Sequence, residues 1–291
     1  DLKKEIFEPL AVSEYINETV ADYKLKCHVF STIGSHGSLT VEQALMNSCN
    51  PYMIHLALEM GNSRFAYYQS LFGFGKITGI DLPGETTGIV YGDRMTTIDA
   101  ACNSFGQTIN VNMMQMMAAY CSIINGGMLY QPHIVKRIES ANGEVVKEYK
   151  ANLVRQTITA STSKLLRRYL KNTVEEGTAK KAGVTGYSVA GKTGTAQKGD
   201  RKDNKWIISF IGHAPAENPK FAIYVVIDEP YGTTGTSGSS ADVLTLTHNI
   251  LEKLLPYMNV YKDASDEYED TSSSPDELTV DGIPAGTASS N

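Results

Sequence analysis

The sequence contains no uninterrupted apolar run near the ~18 residues that would suggest a membrane span, and its first residues show no signal peptide. None of its six histidines forms a His-x-x-x-His or Glu-x-x-His pair. The four cysteines (Cys27, Cys49, Cys102, Cys121) have neither metal-type spacing nor the density of a disulfide framework, and their spacing leaves their oxidation state open. Cys27-His28 with His36 is the only loose grouping of metal-ligating side chains. No metal ion and no cofactor is therefore expected. The absence of a basic stripe argues against nucleic acid as a partner, and no internal repeat suggests a solenoid.

What is present is enough apolar material for a substantial core, 42% of 291 residues. The net charge of −6 is unevenly spread. From Lys262 to Asn291 eight acids face one lysine, so this stretch carries −7 and the rest about +1. Its Ser, Thr and Gly content reads as a disordered, solvating tail. The chain divides into an irregular N-terminal remnant (1–37), one globular domain (38–258) and the acidic tail (259–291).

Within the domain, Thr40-Val-Glu-Gln43 is a capping box that opens a short helix through Met46. Pro51 suits the first turn of a second helix ending at Gly61, which puts Ser48-Cys49-Asn50 at the junction of the two. Helices are also predicted over 65–72, 96–103, 112–124, 161–176 and 241–255. The helix at 161–176 carries Leu165, Leu166, Tyr169, Leu170 and Val174 on one side. Glu18–Lys26 alternates weakly, as one short strand would. His133–Glu139 and Glu144–Tyr149 flank Ala141-Asn142-Gly143 as a hairpin, and the stretch 73–85 is turn-rich. Tyr187–Ala196, Trp206–Gly212 and Phe221–Asp228 read as an antiparallel meander. Helices first, then an antiparallel sheet, then a closing helix make an α+β domain.

Lys192-Thr193-Gly194-Thr195 admits two readings. With Gly186 and Gly191 it spells the phosphate-cradling pattern of nucleotide hydrolases. That pattern needs a buried strand before it and a helix after it, and neither flank fits. The other reading pairs Lys-Thr-Gly with Ser48-Cys49-Asn50 as the Ser-x-Asn element of penicillin-recognising serine enzymes.

Further motifs follow in order. They are Phe72-Gly-Phe-Gly75, Thr78-Gly-Ile-Asp-Leu-Pro-Gly-Glu85, Ser104-Phe-Gly-Gln107, Asn125-Gly126-Gly127, Gly177-Thr178-Ala179, Val189–Gln197 and Phe210-Ile-Gly212. Collinear from about His36 to Tyr257, they resemble the penicillin-binding transpeptidase domain, above all the monofunctional division and sporulation transpeptidases of Gram-positive bacteria. The resemblance implies the serine β-lactamase-like α+β fold and acyl transfer on the D-Ala-D-Ala ends of peptidoglycan stem peptides. It also implies β-lactams as ligands, division or sporulation machinery as partners, and a place on the outer face of the bacterial membrane.

By the same resemblance, Ser48 and Lys192 belong to the proton route and Asn50 holds the amide of the acyl donor. Thr193 and Thr195 grip the terminal carboxylate, the Thr195 N–H supplies half of the oxyanion hole, and Gly194 lets substrate backbone lie against the strand. Taken singly, Ser48 and Asn50 could merely cap a helix, and Lys192 could be a surface lysine. Gln107 is expected to shape its loop, and Tyr231-Gly232-Thr233 to border the cleft.

One element departs from the pattern. The family places a Ser-x-x-Lys nucleophile ahead of Ser-x-Asn, but the match present here, Ser161-Thr-Ser-Lys164, follows it and reads as a helix cap. Ser13-Glu14-Tyr15-Ile16 lacks the lysine. The rim after Pro230 is also blurred, with Ser237-Gly238 and Ala241–Leu244 in place of the usual motifs. The expectation is a transpeptidase domain truncated before its nucleophile and inactive alone. The alternatives are a non-catalytic scaffold that binds D-Ala-D-Ala or a division partner, and, more remotely, a nucleotide hydrolase.

Overall fold

A computed structural model describes residues 17–20, 23–34, 36–199, 205–230 and 239–264. Most of the acidic tail, Ser13–Ile16, Tyr231–Thr233 and Ser237-Gly238 lie outside the described residues.

The chain opens with a hairpin, β1 (Asn17–Val20) and β2 (Tyr23–Lys26), paired from Asn17↔Lys26 to Val20↔Tyr23. The single strand expected over 18–26 is thus two. Three helices then start by one local rule. Thr40, Thr96 and Asn112 each accept the N–H three residues on, while Gln43, Asp99 and Gln115 bond back to the cap's own N–H. These caps open α1 (Val41–Met46), α4 (Thr97–Ser104) and α5 (Met113–Ile124). Between them lie α2 (Asn50–Met60), with Pro51 in its first turn, and α3 (Asn62–Leu71).

The stretch 73–85 is irregular, as its turn residues imply. Glu85 holds it by accepting the Thr78 N–H (2.7 Å) and the Gly79 N–H (3.0 Å). Short strands β3 (Met128–Tyr130), β4 (Arg137–Glu139), β5 (Val145–Glu148) and β6 (Leu153–Gln156) follow. Strand β4 is shorter than expected because Asp81 takes the Ile134 and Val135 N–H groups at 2.8 and 2.9 Å. The pairing of β3 with β6 was not anticipated.

The sheet that matters is β7 (Ala190–Lys198), β8 (Lys205–Ala214) and β9 (Phe221–Asp228), an antiparallel meander in that order. Side chains alternate across it. One face, with Ile208 and Phe210, packs on Val243, Leu244, Leu251 and Leu255 of α7 (Ala241–Tyr257). The other face, with Ala190 and Ile211, packs on Tyr120 and Ile124 of α5 and on Leu170 of α6 (Ala160–Glu175). Helices on both faces of an antiparallel sheet give the expected α+β class. In α6 the expected face is buried at Leu170 and Val174, but one position departs from it. Leu165 is exposed, and Ser163 is buried instead, where it accepts the Gly126 N–H at 3.0 Å.

Strand β7 runs unbroken from Ala190 through Thr193 to Lys198, so the residues directly after Thr193 are strand and not helix. The nucleotide-hydrolase alternative fails on this geometry, because a phosphate cradle needs the N–H groups of a helix N-terminus.

His213 is buried in β8 between two partners. Its Nε2 lies 3.1 Å from the Ala216 carbonyl and must carry the proton, so Nδ1 accepts from the Tyr120 hydroxyl at 2.8 Å. Burial pushes its pKa down to about 4. The unfolded chain binds a proton below the ordinary value of 6.5, whereas the folded one does not until about 4. Stability should therefore fall by roughly 3 kcal/mol as pH drops across that window. Urea denaturation at pH 7 and pH 4.5 should show this slope in the natural chain and lose it in His213→Asn. An equal slope in both would reject the assignment.

Candidate functional site

The site is built where α1 ends. Asn47 caps the helix, the Ser48 N–H reaches back to the Leu45 carbonyl (3.2 Å) and the Cys49 N–H to the Ala44 carbonyl (2.9 Å). This pair of bonds is the Schellman C-terminal motif, which puts the intervening residue in the left-handed region and normally selects glycine there. Here it is Ser48, at φ 51°. A Cβ in that conformation costs about 1–2 kcal/mol, and strain of this kind concentrates at functional positions. The chain then turns directly into α2, with Asn50 as its first residue.

Opposite stands Lys192 on β7. Its Nζ donates to the Ser48 hydroxyl and lies 3.2 Å from the Thr193 carbonyl and 3.4 Å from the Thr193 hydroxyl. Burial pushes the Lys192 pKa down to about 8. The ammonium is thus the major form at neutral pH, yet it can give up its proton far more readily than a surface lysine.

A third segment closes the arrangement. After α6, Gly177 sits so tightly that a Cβ would come 2.9 Å from the Met46 carbonyl and from Thr173 backbone atoms. The next N–H, of Thr178, donates to that same carbonyl at 3.2 Å. This sets the Thr178 hydroxyl 3.3 Å from the Thr193 hydroxyl. Glu42 of α1 accepts from Asn172 of α6 at 2.5 Å, which ties the two helices together above the strand. Thr178 is the site residue that sequence reasoning missed, although Gly177-Thr178-Ala179 stood among the motifs.

The structure therefore joins Ser48, Lys192 and Thr193 through hydrogen bonds, while Asn50, Gly194 and Thr195 are placed by their elements. Among the described residues β7 is an edge strand. A Cβ at Gly194 would lie 2.5 Å from the Ser209 hydroxyl. An edge with a glycine and exposed Thr195 beside it can accept an extended chain by strand addition.

Two residues outside the site fall where the sequence put them. Ser161 is exposed in the first turn of α6, its hydroxyl 2.9 Å from that of the capping Thr159. Gln107 shapes its loop through a carbonyl that accepts from Asn103 at 3.1 Å. A cavity of about 470 Å³ is lined by Cys121, Arg167, Glu217, Lys220 and Phe221 among others, and by none of the site residues. The hydrogen-bonded group of Ser48, Lys192 and Thr193 lies beside β7 instead. Among the described residues no helix is long and apolar enough to cross a membrane.

Comparison with known proteins gives a family and related folds. Residues 16–252 match the family model described as the penicillin binding protein transpeptidase domain. The chain is 40% identical over 232 residues to stage V sporulation protein D of Bacillus subtilis, covering 78% of this chain and 36% of that protein. It is 32% identical over 248 residues to the peptidoglycan D,D-transpeptidase FtsI of Escherichia coli K12, covering 83% and 40%. The apo crystal structure of penicillin binding protein 3 from Mycobacterium tuberculosis superposes with a TM-score of 0.75 at 27% identity, over 86% of this chain and 58% of that one. The same protein complexed with ampicillin gives the same score at 28% identity, over 86% and 57%. The chain spans well under half the length of these two curated relatives.

Proposed function

Because the chain belongs to the penicillin-binding protein transpeptidase family, we propose that it is the recognition half of a peptidoglycan D,D-transpeptidase site, the half that grips the D-Ala-D-Ala end of a stem peptide. The observation that carries this reading is the contact of Lys192 Nζ with the Ser48 hydroxyl at the end of an edge strand. Acyl transfer needs a nucleophile, a proton carrier to the leaving amine, an oxyanion hole and a substrate grip. Ser48 and Lys192 form a donor–acceptor pair able to pass a proton to the leaving amine. Asn50 bonds the amide of the acyl donor. Thr193 and Thr195, with the Lys192 charge behind them, take the terminal carboxylate, and the Thr195 N–H faces the developing oxyanion. Gly194 keeps the strand open to substrate backbone. β-Lactams carry the same carboxylate beside a strained amide and are ligands of the same groove. The setting is the outer face of the bacterial membrane, with division or sporulation machinery as partner.

In these 291 residues Ser-x-x-Lys occurs only at Ser161–Lys164, after Ser-x-Asn and in a helix cap. The polypeptide by itself is therefore assigned recognition without acylation, which also accommodates a role as a D-Ala-D-Ala-binding scaffold. Intact-mass spectrometry after incubation with benzylpenicillin tests this, alongside ligand-observed NMR of the same mixture. The expected result is saturation transfer to the ligand with no mass increase. A stoichiometric adduct, mapped to any serine, would overturn the reading, and loss of the NMR signal would remove the recognition claim as well.

The depressed Lys192 pKa gives a pH signature. Below pH 8 the ammonium is present and faces the carboxylate, whereas above it the charge is lost. A bound carboxylate favours the charged form and moves this step upward. Affinity for ampicillin should be flat from pH 6 to 8 and fall by up to about tenfold per unit above the shifted value. An unchanged affinity at pH 10 would exclude Lys192 from the carboxylate grip.

A further inference from the structure

Cys49 is the middle residue of Ser-x-Asn, and nothing in the acyl-transfer reading uses it. The fold brings it against the one grouping that the sequence left weak. The Cys27 and Cys49 sulfurs and a ring nitrogen of His36 all lie within 4.8 Å of one another. His36 Nδ1 is 3.6 Å from the Cys27 sulfur, and His28 Nδ1 is also 3.6 Å from it. We propose that Cys27, His36 and Cys49 form a zinc site that clamps the Ser48-Cys49-Asn50 junction to the loop after β2, with the fourth position opening towards His28.

Geometry, burial and charge agree on this cation. Tetrahedral zinc with bonds of about 2.3 Å to sulfur and 2.0–2.1 Å to nitrogen sets its sulfur and nitrogen ligands about 3.6 Å apart, the separation of Cys27 and His36, and Cys49 lies within 4.8 Å of both. Cys27 is 7% exposed and Cys49 1%, packed with Leu39, Ala44 and Tyr52. Two thiolates neutralise a divalent ion, so the complex can sit in that apolar cluster without a buried net charge. Thiolate with imidazole is a donor set for zinc, whereas the harder magnesium and calcium take oxygen. Binding releases the thiol protons to solvent, and no redox partner is needed.

The clamp would join two segments that already meet in one apolar cluster. Among the described residues between β2 and α1, the one helical element is a 3-10 turn, His28–Ser31. Across the metal this loop would be fixed to the N-cap of α2, one residue from strained Ser48. The inference concerns the chain's own fold and stands whether or not the site at Lys192 recognises penicillin.

The test uses the whole chain, reduced and stripped of metal under argon. Zinc is titrated against a competing chelator, and cobalt is added separately for its optical spectrum. One zinc per chain at submicromolar affinity, a sulfur-to-cobalt charge-transfer band and a higher thermal midpoint with zinc are expected. His36→Ala, on a half-exposed loop residue that leaves the helices intact, should weaken zinc by more than the roughly 10–100-fold that a supporting partner costs. Cys49→Ser should weaken zinc binding and about halve the charge-transfer band, one thiolate of two being lost, and Cys102→Ser with Cys121→Ser should change nothing. No zinc uptake after reduction, or uptake that His36→Ala and Cys49→Ser leave unaltered, overturns the proposal. Isolation of the chain with Cys27 and Cys49 joined as a disulfide counts against it only if the reduced chain still takes no zinc.

Discussion

Phe210→Ala is expected to cost about 3–5 kcal/mol of unfolding free energy, a large share of the ~5–15 kcal/mol that holds a domain together. Phe210 is fully buried at the centre of β8, on the face that packs against α7. The sequence has made room for its ring with two glycines. A Cβ on Gly191 would fall 2.3 Å from the ring's Cζ, and one on Gly212 would fall 2.5 Å from its Cε1. These glycines face each other across β7 and β8, two pairs along from Thr193↔Phe210, with Lys192↔Ile211 between. The ring therefore lies over the seam that sets the register of Lys192. Removing it opens a void walled by strand backbone, which cannot collapse easily.

A second variant separates packing from register. In the natural chain Gly191→Ala strikes both the ring and the Ile211 carbonyl, 2.6 Å away. In the Phe210→Ala background only the carbonyl remains, so the cost of Gly191→Ala should shrink there. Urea denaturation of the four chains measures the coupling. Strict additivity would mean that the ring does not rest on Gly191.

What could be read in advance divides along a physical line. The start of α1 was legible because a capping box is a pattern of four residues, read at Thr40–Gln43; the same boxes at Thr96 and Asn112 emerged only in the structure. The meander was legible because β-rich runs were separated by polar loops. Ser48 as the left-handed residue of a Schellman motif was not, since a serine there works against its own backbone preference and only the finished helix end shows it. The pairing of β3 with β6 joins residues 128–130 to 153–156 across a hairpin, and no local signal marks that distance. The exposure of Leu165 follows from where α6 lies on the sheet, not from its own period. The same holds for the cysteines. Cys27 and His36 are neighbours in sequence, but Cys49 reaches them only through the turn between α1 and α2.

Lys192→Met is expected to do two opposite things at pH 7, weakening ampicillin recognition while raising stability. Charge-assisted hydrogen bonds are worth about 1.5–3 kcal/mol, so losing the ammonium should weaken carboxylate binding roughly 10–100-fold. The fold, however, disfavours the charged lysine. Burial holds its pKa near 8 against an ordinary 10.5. Below pH 8 the folded chain keeps a proton on Lys192 in a poorly solvated place, whereas the unfolded chain keeps it in water. The natural chain bears that cost in full below pH 8 and sheds it as pH rises towards 10.5. Methionine fills a similar volume without the charge. It should gain about 1–3 kcal/mol at pH 7, less than the full shift implies because the side chain is only partly buried, and nothing at pH 10.5. Denaturation midpoints at the two pH values, read beside ampicillin affinity, decide the matter. A variant that is less stable at both would make Lys192 a structural prop between β7 and Ser48. A gain confined to low pH together with lost affinity would identify a charge that the fold tolerates for the sake of its ligand.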